Sequence, residues 1–318
     1  MTDSPQFRPA AFLGSSPALL QTLDRAGMVA GSDQSLFIGG ESGTGKDLLA
    51  RAIHDASGRD GSFVTLNGSA VPDGILDREI YGPPGPEAPT AYAAVPRFLS
   101  QAQGGTLYLD DVCRMSAAVQ ARLLELLRTG RIVRADGASA RFTARIIAAT
   151  NSDLAASLRE SRLRRDLYDH LAVNQIVLPP LRHRDGDAGQ IAAAVFPDQL
   201  ANFGFPVQSL AARTIARINA LPWPGNVRQL LNVLRRMALT PEAASGRGAE
   251  LPPDVLADAA TPATARPPEA PLRTFDEIER QAILDAIDRY GGSVQKAADE
   301  LELAASTIYR KLKFWQSR

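Results

Sequence analysis

The run Gly40-Glu-Ser-Gly-Thr-Gly-Lys46 constrains this chain more than any other stretch, because it sits between an apolar run and a helical pattern. Ser35-Leu-Phe-Ile precedes it and residues 48–56 follow with helical periodicity. In that context the backbone amides of Gly40, Glu41, Ser42, Gly43, Thr44 and Gly45 wrap phosphates, and the helix N-terminus adds partial positive charge. Lys46 then reaches the terminal phosphates. The next residue is Asp47, not the hydroxyl residue that ordinarily ligates magnesium in such loops. A second piece of a nucleotide site is Thr106-Leu-Tyr-Leu-Asp110-Asp111, an apolar strand ending in acids, where Asp110 is placed to hold Mg2+ through its water shell.

Short apolar runs alternate with helical patterns along this part of the chain: 35–38, 63–66, 106–109, 145–149 and 175–178. The alternation predicts an α/β fold with a parallel sheet wrapped by helices over residues 11–185, after a short tail at 1–10. Residues 186–240 read as a helical lid, with Ile215, Ile218, Val227, Leu230, Leu231 and Leu234 supplying its apolar faces. Residues 241–273, rich in Pro, Ala and Gly, read as a flexible linker. Residues 274–318 regain helical periodicity as a small all-α domain. A length of 318 residues with 45% apolar content suits this division into one large unit and one small one. The 35 basic and 35 acidic side chains cancel, so any affinity for a polyanion must be local. One cysteine, Cys113, excludes an intrachain disulfide, and three scattered histidines suggest no metal cluster. A reducing cytoplasm is the expected compartment; no membrane span is expected, since no apolar run is long enough.

With these residues placed, about residues 12–236 resemble the central AAA+ domain of the NtrC-type sigma-54 activators, and the tail resembles their Fis-type helix-turn-helix. The strings that carry the resemblance are Leu13-Gly14-Ser-Ser-Pro17, Gly40 to Lys46, Gly104-Gly-Thr-Leu-Tyr-Leu-Asp110, Arg145-Ile-Ile-Ala-Ala-Thr-Asn151, Asp166-Leu-Tyr168, Leu178-Pro-Pro-Leu-Arg182 and Trp223-Pro-Gly-Asn-Val-Arg228. The resemblance implies ATP as the nucleotide, with Leu13 and Gly14 joining the loop residues around it. It makes Asn67 a switch residue, Asn151 a sensor at a strand end, Arg228 the lid arginine and Arg164 an arginine finger given to a neighbouring subunit. It also implies RNA polymerase as a partner, a dimer through the tail, and leaves open a ring through the AAA+ module.

Three departures from the family's pattern point the same way. The family follows its magnesium-binding Asp with Glu, which orients the attacking water; here Asp111 takes that place. One methylene fewer retracts the carboxylate by about 1.5 Å, and misplacement of about 1 Å costs on the order of a hundredfold in rate. A second arginine finger falls at His170, an imidazole largely uncharged at neutral pH, with Arg165 beside it as a candidate substitute. The sigma-contacting Gly-Ala-Phe-Thr-Gly-Ala loop becomes Pro86-Glu-Ala-Pro-Thr-Ala91, stiffened by neighbouring prolines and lacking an aromatic tip.

In the tail, Gly291 to Leu301 and Ala304 to Trp315 read as two short helices. Ile308, Leu312 and Trp315 face inward, leaving Ser306, Thr307, Arg310 and Lys311 outward, with Lys313 nearby, for phosphates and base edges of double-stranded DNA. Glu302 and Ala304 replace the family's turn glycine and capping serine, the cap being worth about 1 kcal/mol. Paired tails imply palindromic sites. Since only about ten residues precede the AAA+ module, no receiver domain is expected, and control passes to abundance, partners, nucleotide or a small molecule. The favoured expectation is a DNA-binding regulator that uses ATP as a ligand, with weak hydrolysis and without sigma-54. A working sigma-54 activator and a protein-remodelling AAA+ machine remain open beside it. Cys113 reads as a packed thiol rather than a redox sensor.

Overall fold

The computed structural model describes residues 7–70, 98–133, 139–240, 251 and 293–300. Within them, β1 (Leu36–Gly39), β2 (Phe63–Asn67) and β3 (Thr106–Asp110) are parallel strands of the main sheet. A separate antiparallel pair, β4 (Arg131–Val133) and β5 (Ser139–Arg141), follows. Strands β6 (Arg145–Thr150) and β7 (Asn174–Val177) complete the main sheet in the order β2-β3-β6-β1-β7. All five expected strands are therefore present, and all five run parallel.

The period-two pattern explains why the sheet is covered twice. Tyr108, Ile147 and Ala149 point to one side, where they pack with Leu19 and Leu23 of α1 (Pro17–Ala30) and Leu49 and Ile53 of α2 (Lys46–Asp55). Leu107, Leu109, Ile146 and Ala148 point to the other side, against α4 (Ala117–Thr129) and α6 (Arg165–Leu171). Two short helices, α3 (Phe98–Gln101) and α5 (Leu154–Arg159), border that second layer. Because all strands run the same way, their carboxyl ends share one edge. Gly39 is level with Thr150, and Asn67 with Asp110.

The lid consists of α7 (Asp187–Asn202), α8 (Ala212–Ala220) and α9 (Asn226–Ala238) around Phe196, Leu200, Ile218, Trp223, Leu230 and Leu234. Leu231, expected in the apolar packing, is 38% exposed instead. Leu251 lies inside the stretch read as linker, yet it is buried in this lid cluster. A single leucine in a Pro- and Ala-rich stretch has no periodicity to announce its packing. The first compact unit accordingly runs to Pro262, past the expected lid boundary at 240, and the second begins at Ala263. In that second unit α10 (Val294–Glu300) falls where the first tail helix is expected. The loop at 86–91, the remaining linker residues, and Ser306, Thr307, Arg310, Lys311 and Lys313 lie outside the described residues.

Arg145 ties the first layer together. Buried at the start of β6, it donates to the carbonyls of Ala30 (2.6 Å), Val29 (2.8 Å) and Gln34 (3.1 Å), satisfying the end of α1. Arg145→Ala is expected to cost about 2–4 kcal/mol of stability, read as a lower urea midpoint with an unchanged slope.

Candidate functional site

The loop between β1 and α2 lies where the carboxyl ends of β1, β3 and β6 meet, the usual ligand position in an open parallel sheet. Lys46, first residue of α2 and 5% exposed, turns back over the loop and donates to the carbonyls of Gly40 (2.8 Å) and Glu41 (2.9 Å) and to Asn151 Oδ1. Burial drives its pKa down to about 8, while Asp110 and Asp111 pull it upward. Thr44 Oγ1 also donates inward, to the Glu41 carbonyl at 2.9 Å.

A cavity of about 420 Å³ opens over this loop. Its polar lining comprises Thr44, Lys46, Asp47, Asp110, Asn151, Arg184 and Arg228 with the loop glycines Gly43 and Gly45, and its apolar lining comprises Phe12, Leu13, Leu48, Ile191, Val195 and Leu231. That explains the exposure of Leu231: it faces the cavity rather than the lid core. Apolar side chains together with loop amides, an ammonium and guanidinium groups fit a nucleotide, and the volume is of ligand-binding size. Two carboxylates in the polar lining suit a divalent cation. Asp110 is raised above the usual carboxylate range by burial and then by neighbouring Asp111, a repulsion that a cation would relieve. Tyr108, at the back of the cavity, donates its hydroxyl to Asp110 Oδ1 across 3.4 Å.

Asp111 goes elsewhere. Its backbone is left-handed, with φ at 54°, and its carboxylate is turned to the end of β6. There it accepts from Thr150 Oγ1 (3.2 Å), Asn151 N (3.4 Å) and Asn151 Nδ2 (3.4 Å). It is buried and is not part of the cavity wall. Asn67 stands beside Asp110 in register, but its Oδ1 accepts from Ser69 N and Ser69 Oγ, both at 3.0 Å. Arg164 is exposed and forks onto Asp166, with Nε to Oδ1 at 3.0 Å and Nη2 to Oδ2 at 2.8 Å. This fork pulls the Asp166 pKa down to about 2. Of the expected site residues, Leu13, Gly43, Thr44, Gly45, Lys46, Asp47, Asp110, Asn151 and Arg228 line this one cavity, whereas Gly14, Gly40, Glu41, Ser42, Asp111, Asn67 and Arg164 do not. His170 donates locally, its Nδ1 lying 2.9 Å from the Asp166 carbonyl. Cys113 is buried, and burial pushes its thiol up, away from the thiolate a redox sensor needs.

The loop is also clamped by Asn226 of the lid and by Arg182, to which the sequence reading gave no role. Asn226, fully buried with φ at 53°, accepts from Leu181 N (2.7 Å) and donates to Ser42 O (3.0 Å) and Glu41 Oε2 (3.1 Å). Glu41 is held in turn by Arg182 at 2.8 and 2.5 Å, which lowers its pKa. Arg228 donates to Ser42 Oγ at 2.8 Å, and Val227 N to Gly43 O at 3.0 Å. Gly43 has to be glycine here: a Cβ would lie 2.5 Å from the Gly225 carbonyl, and φ is 79°. Gly14 is equally constrained, since its Cβ would meet the Asp187 carboxyl group at 2.5 Å. Asn226 and Arg182 both lie within strings that carry the family resemblance; Asp187 lies outside them and gave no signal.

Comparison with known proteins follows the same lines. Residues 12–177 match the family model "Sigma-54 interaction domain", 182–268 match "AAA+ ATPase lid domain", and 274–315 match "Bacterial regulatory protein, Fis family". The chain is 35% identical over 315 residues to the luminescence regulatory protein LuxO of Vibrio campbellii, covering 96% of this chain and 70% of that protein. Two crystal structures of NtrX from Brucella abortus are similar over 96% of this chain and 69% of NtrX. The ADP complex gives a TM-score of 0.67 at 29% identity, and the ATP complex 0.64 at 26%.

Because Lys46 carries its proton only below about 8, nucleotide affinity is expected to hold steady from pH 6 to about 7.5 and to fall as pH rises through 8. Titration calorimetry across that range reads the effect, and Lys46→Ala is expected to remove binding at every pH.

Proposed function

Because the chain belongs to the sigma-54 activator family of AAA+ transcription regulators, we propose that it is a DNA-binding regulator that takes ATP into the cavity between β-sheet and lid and hydrolyses it poorly. Nucleotide then acts as a ligand that sets the state of the protein rather than as a fuel. The observation that carries this reading is the placement of Asp111. It is one methylene shorter than the residue that orients the attacking water in relatives of this type, and both its oxygens are engaged by Thr150 and Asn151 at the end of β6. Binding does not depend on that carboxylate. Lys46, Arg228 and the loop amides meet the phosphates, while Phe12, Leu13, Ile191 and Leu231 enclose the base. Asp110, with Asp47 beside it, would hold Mg2+ through water; the bound ion supplies charge neutralisation for the terminal phosphates.

DNA recognition is assigned to the Fis-type tail, with Ser306, Thr307, Arg310, Lys311 and Lys313 as its contacts, acting as a dimer on palindromic sites. The Fis-family match over 274–315 supports the assignment. The sequence Pro86 to Ala91, which contains two prolines and no aromatic residue, supports action that does not engage sigma-54 polymerase. Arg164 remains the candidate for reaching a neighbouring subunit, at the cost of its fork with Asp166. A second reading, a working sigma-54 activator, is favoured by the sigma-54 interaction match over residues 12–177.

Turnover separates the two. The purified chain is expected to bind ATP yet turn over far below one per second, and Asp111→Glu to raise kcat by about a hundredfold with ATP affinity little changed. Wild-type turnover of about one per second or more argues for the activator instead. Reconstituted transcription gives the second check: no ATP-dependent open complex is expected at a sigma-54 promoter.

A further inference from the structure

Asp187 opens α7 and is wholly buried, with four donors around its carboxyl group. Ser15 N (2.7 Å), Ser16 N (2.9 Å) and Ser16 Oγ (2.7 Å) reach it from the segment before α1. Arg184 Nε (2.9 Å) reaches it from the approach to the lid, and Arg184 Nη2 donates on to the Leu13 carbonyl at 3.0 Å. Gln190 adds a hydrogen bond from α7 to Ser15 Oγ at 2.7 Å. Residues 13 to 16 are therefore knotted to the first turn of the lid by a desolvated ion pair.

Apolar lining residues of the cavity adjoin this knot on both segments, and Arg184 itself lines the cavity. On one side stand Phe12 and Leu13, directly before Gly14. On the other stand Ile191 and Val195, about one and two helical turns beyond Asp187. Apolar packing is non-directional and would let these walls slide past one another, whereas a carboxylate with four donors fixes one register. The tolerance is small, because Gly14 has φ at 136° and leaves no room for a methyl beside the carboxyl group.

We infer that Arg184 and Asp187 are positioning residues for the nucleotide base: their ion pair sets the gap between residues 12–13 and α7 into which a planar purine inserts. The inference rests on the ATP reading above and deepens it. The glycine loop is held separately, by Asn226, Arg182 and Glu41. Perturbing the knot should therefore cost the adenosine part of the affinity and spare the phosphate part.

Calorimetry on the full chain, with ATP and inorganic tripolyphosphate as two probes, tests this. Arg184→Lys keeps a cation beside Asp187 but loses the second nitrogen that reaches Leu13. Gly14→Ala leaves both charges in place and displaces the carboxyl group, so it reports on the geometry even where Arg184→Lys fails to fold. Each is expected to weaken ATP at least about tenfold while tripolyphosphate stays within about twofold, with the unfolding midpoint confirming a folded chain. Unchanged ATP affinity in both variants overturns the inference, as does an equal loss for both probes. A wild-type chain that takes up neither probe fails earlier, at the nucleotide reading, and the inference falls with it.

Discussion

A single ammonium group withdrawn from water organises this site. Lys46 is 5% exposed, and burial drives its pKa down to about 8. It keeps charge near neutrality because carbonyl and carboxylate oxygens converge on it from three strands: Gly40 and Glu41 after β1, Asp110 at the end of β3, Asn151 at the end of β6. That convergence is a property of parallel pairing. Were β3 or β6 reversed, its terminal polar residue would lie at the far edge of the sheet, and the lysine would be left without compensation.

The same crowding explains the divergent fates of the two adjacent acids. Asp110 continues in strand direction and enters the cavity, where burial and its neighbour hold it above the usual carboxylate range. Asp111 adopts a left-handed backbone and turns into the gap beside β6, where hydroxyl and amide donors receive it. Two like charges on consecutive residues thus occupy separate environments, one facing a ligand and the other facing the protein.

The parts of this fold that were legible in the sequence are those written in local pattern. Leu107-Tyr108-Leu109 and Ile146-Ile147-Ala148 read as apolar runs because layers cover both faces of their strands. Residues 43–47 of the glycine loop and its helix, with Asp110, Asn151 and Arg228, came out around one cavity because motif spacing fixes their places at strand and helix ends. Side-chain direction was harder. Ser69 lies two residues from Asn67, and Asp166 two residues from Arg164; each captures its neighbour's side chain, and such short-range competitors are visible in a sequence when sought. Partners at long range give no such sign. Nothing near Asp187 announces Ser15 and Ser16, 172 and 171 residues away, and nothing near Leu251 announces the lid core it completes.

Asn226 meets demands of both kinds through one short side chain. Its oxygen must receive the Leu181 amide, while its nitrogen must give protons to Ser42 and Glu41. No isostere can stand in. Aspartate has the shape but would set a carboxylate against Glu41; leucine has the volume but would take away the partner of the Leu181 amide and of the Ser42 carbonyl. Glutamine carries the right chemistry on a longer arm, with no slack in a pocket that leaves the residue 0% exposed. The junction of lid and loop therefore admits only the amide it has, and its chemical ageing to an acid would open the seam from within.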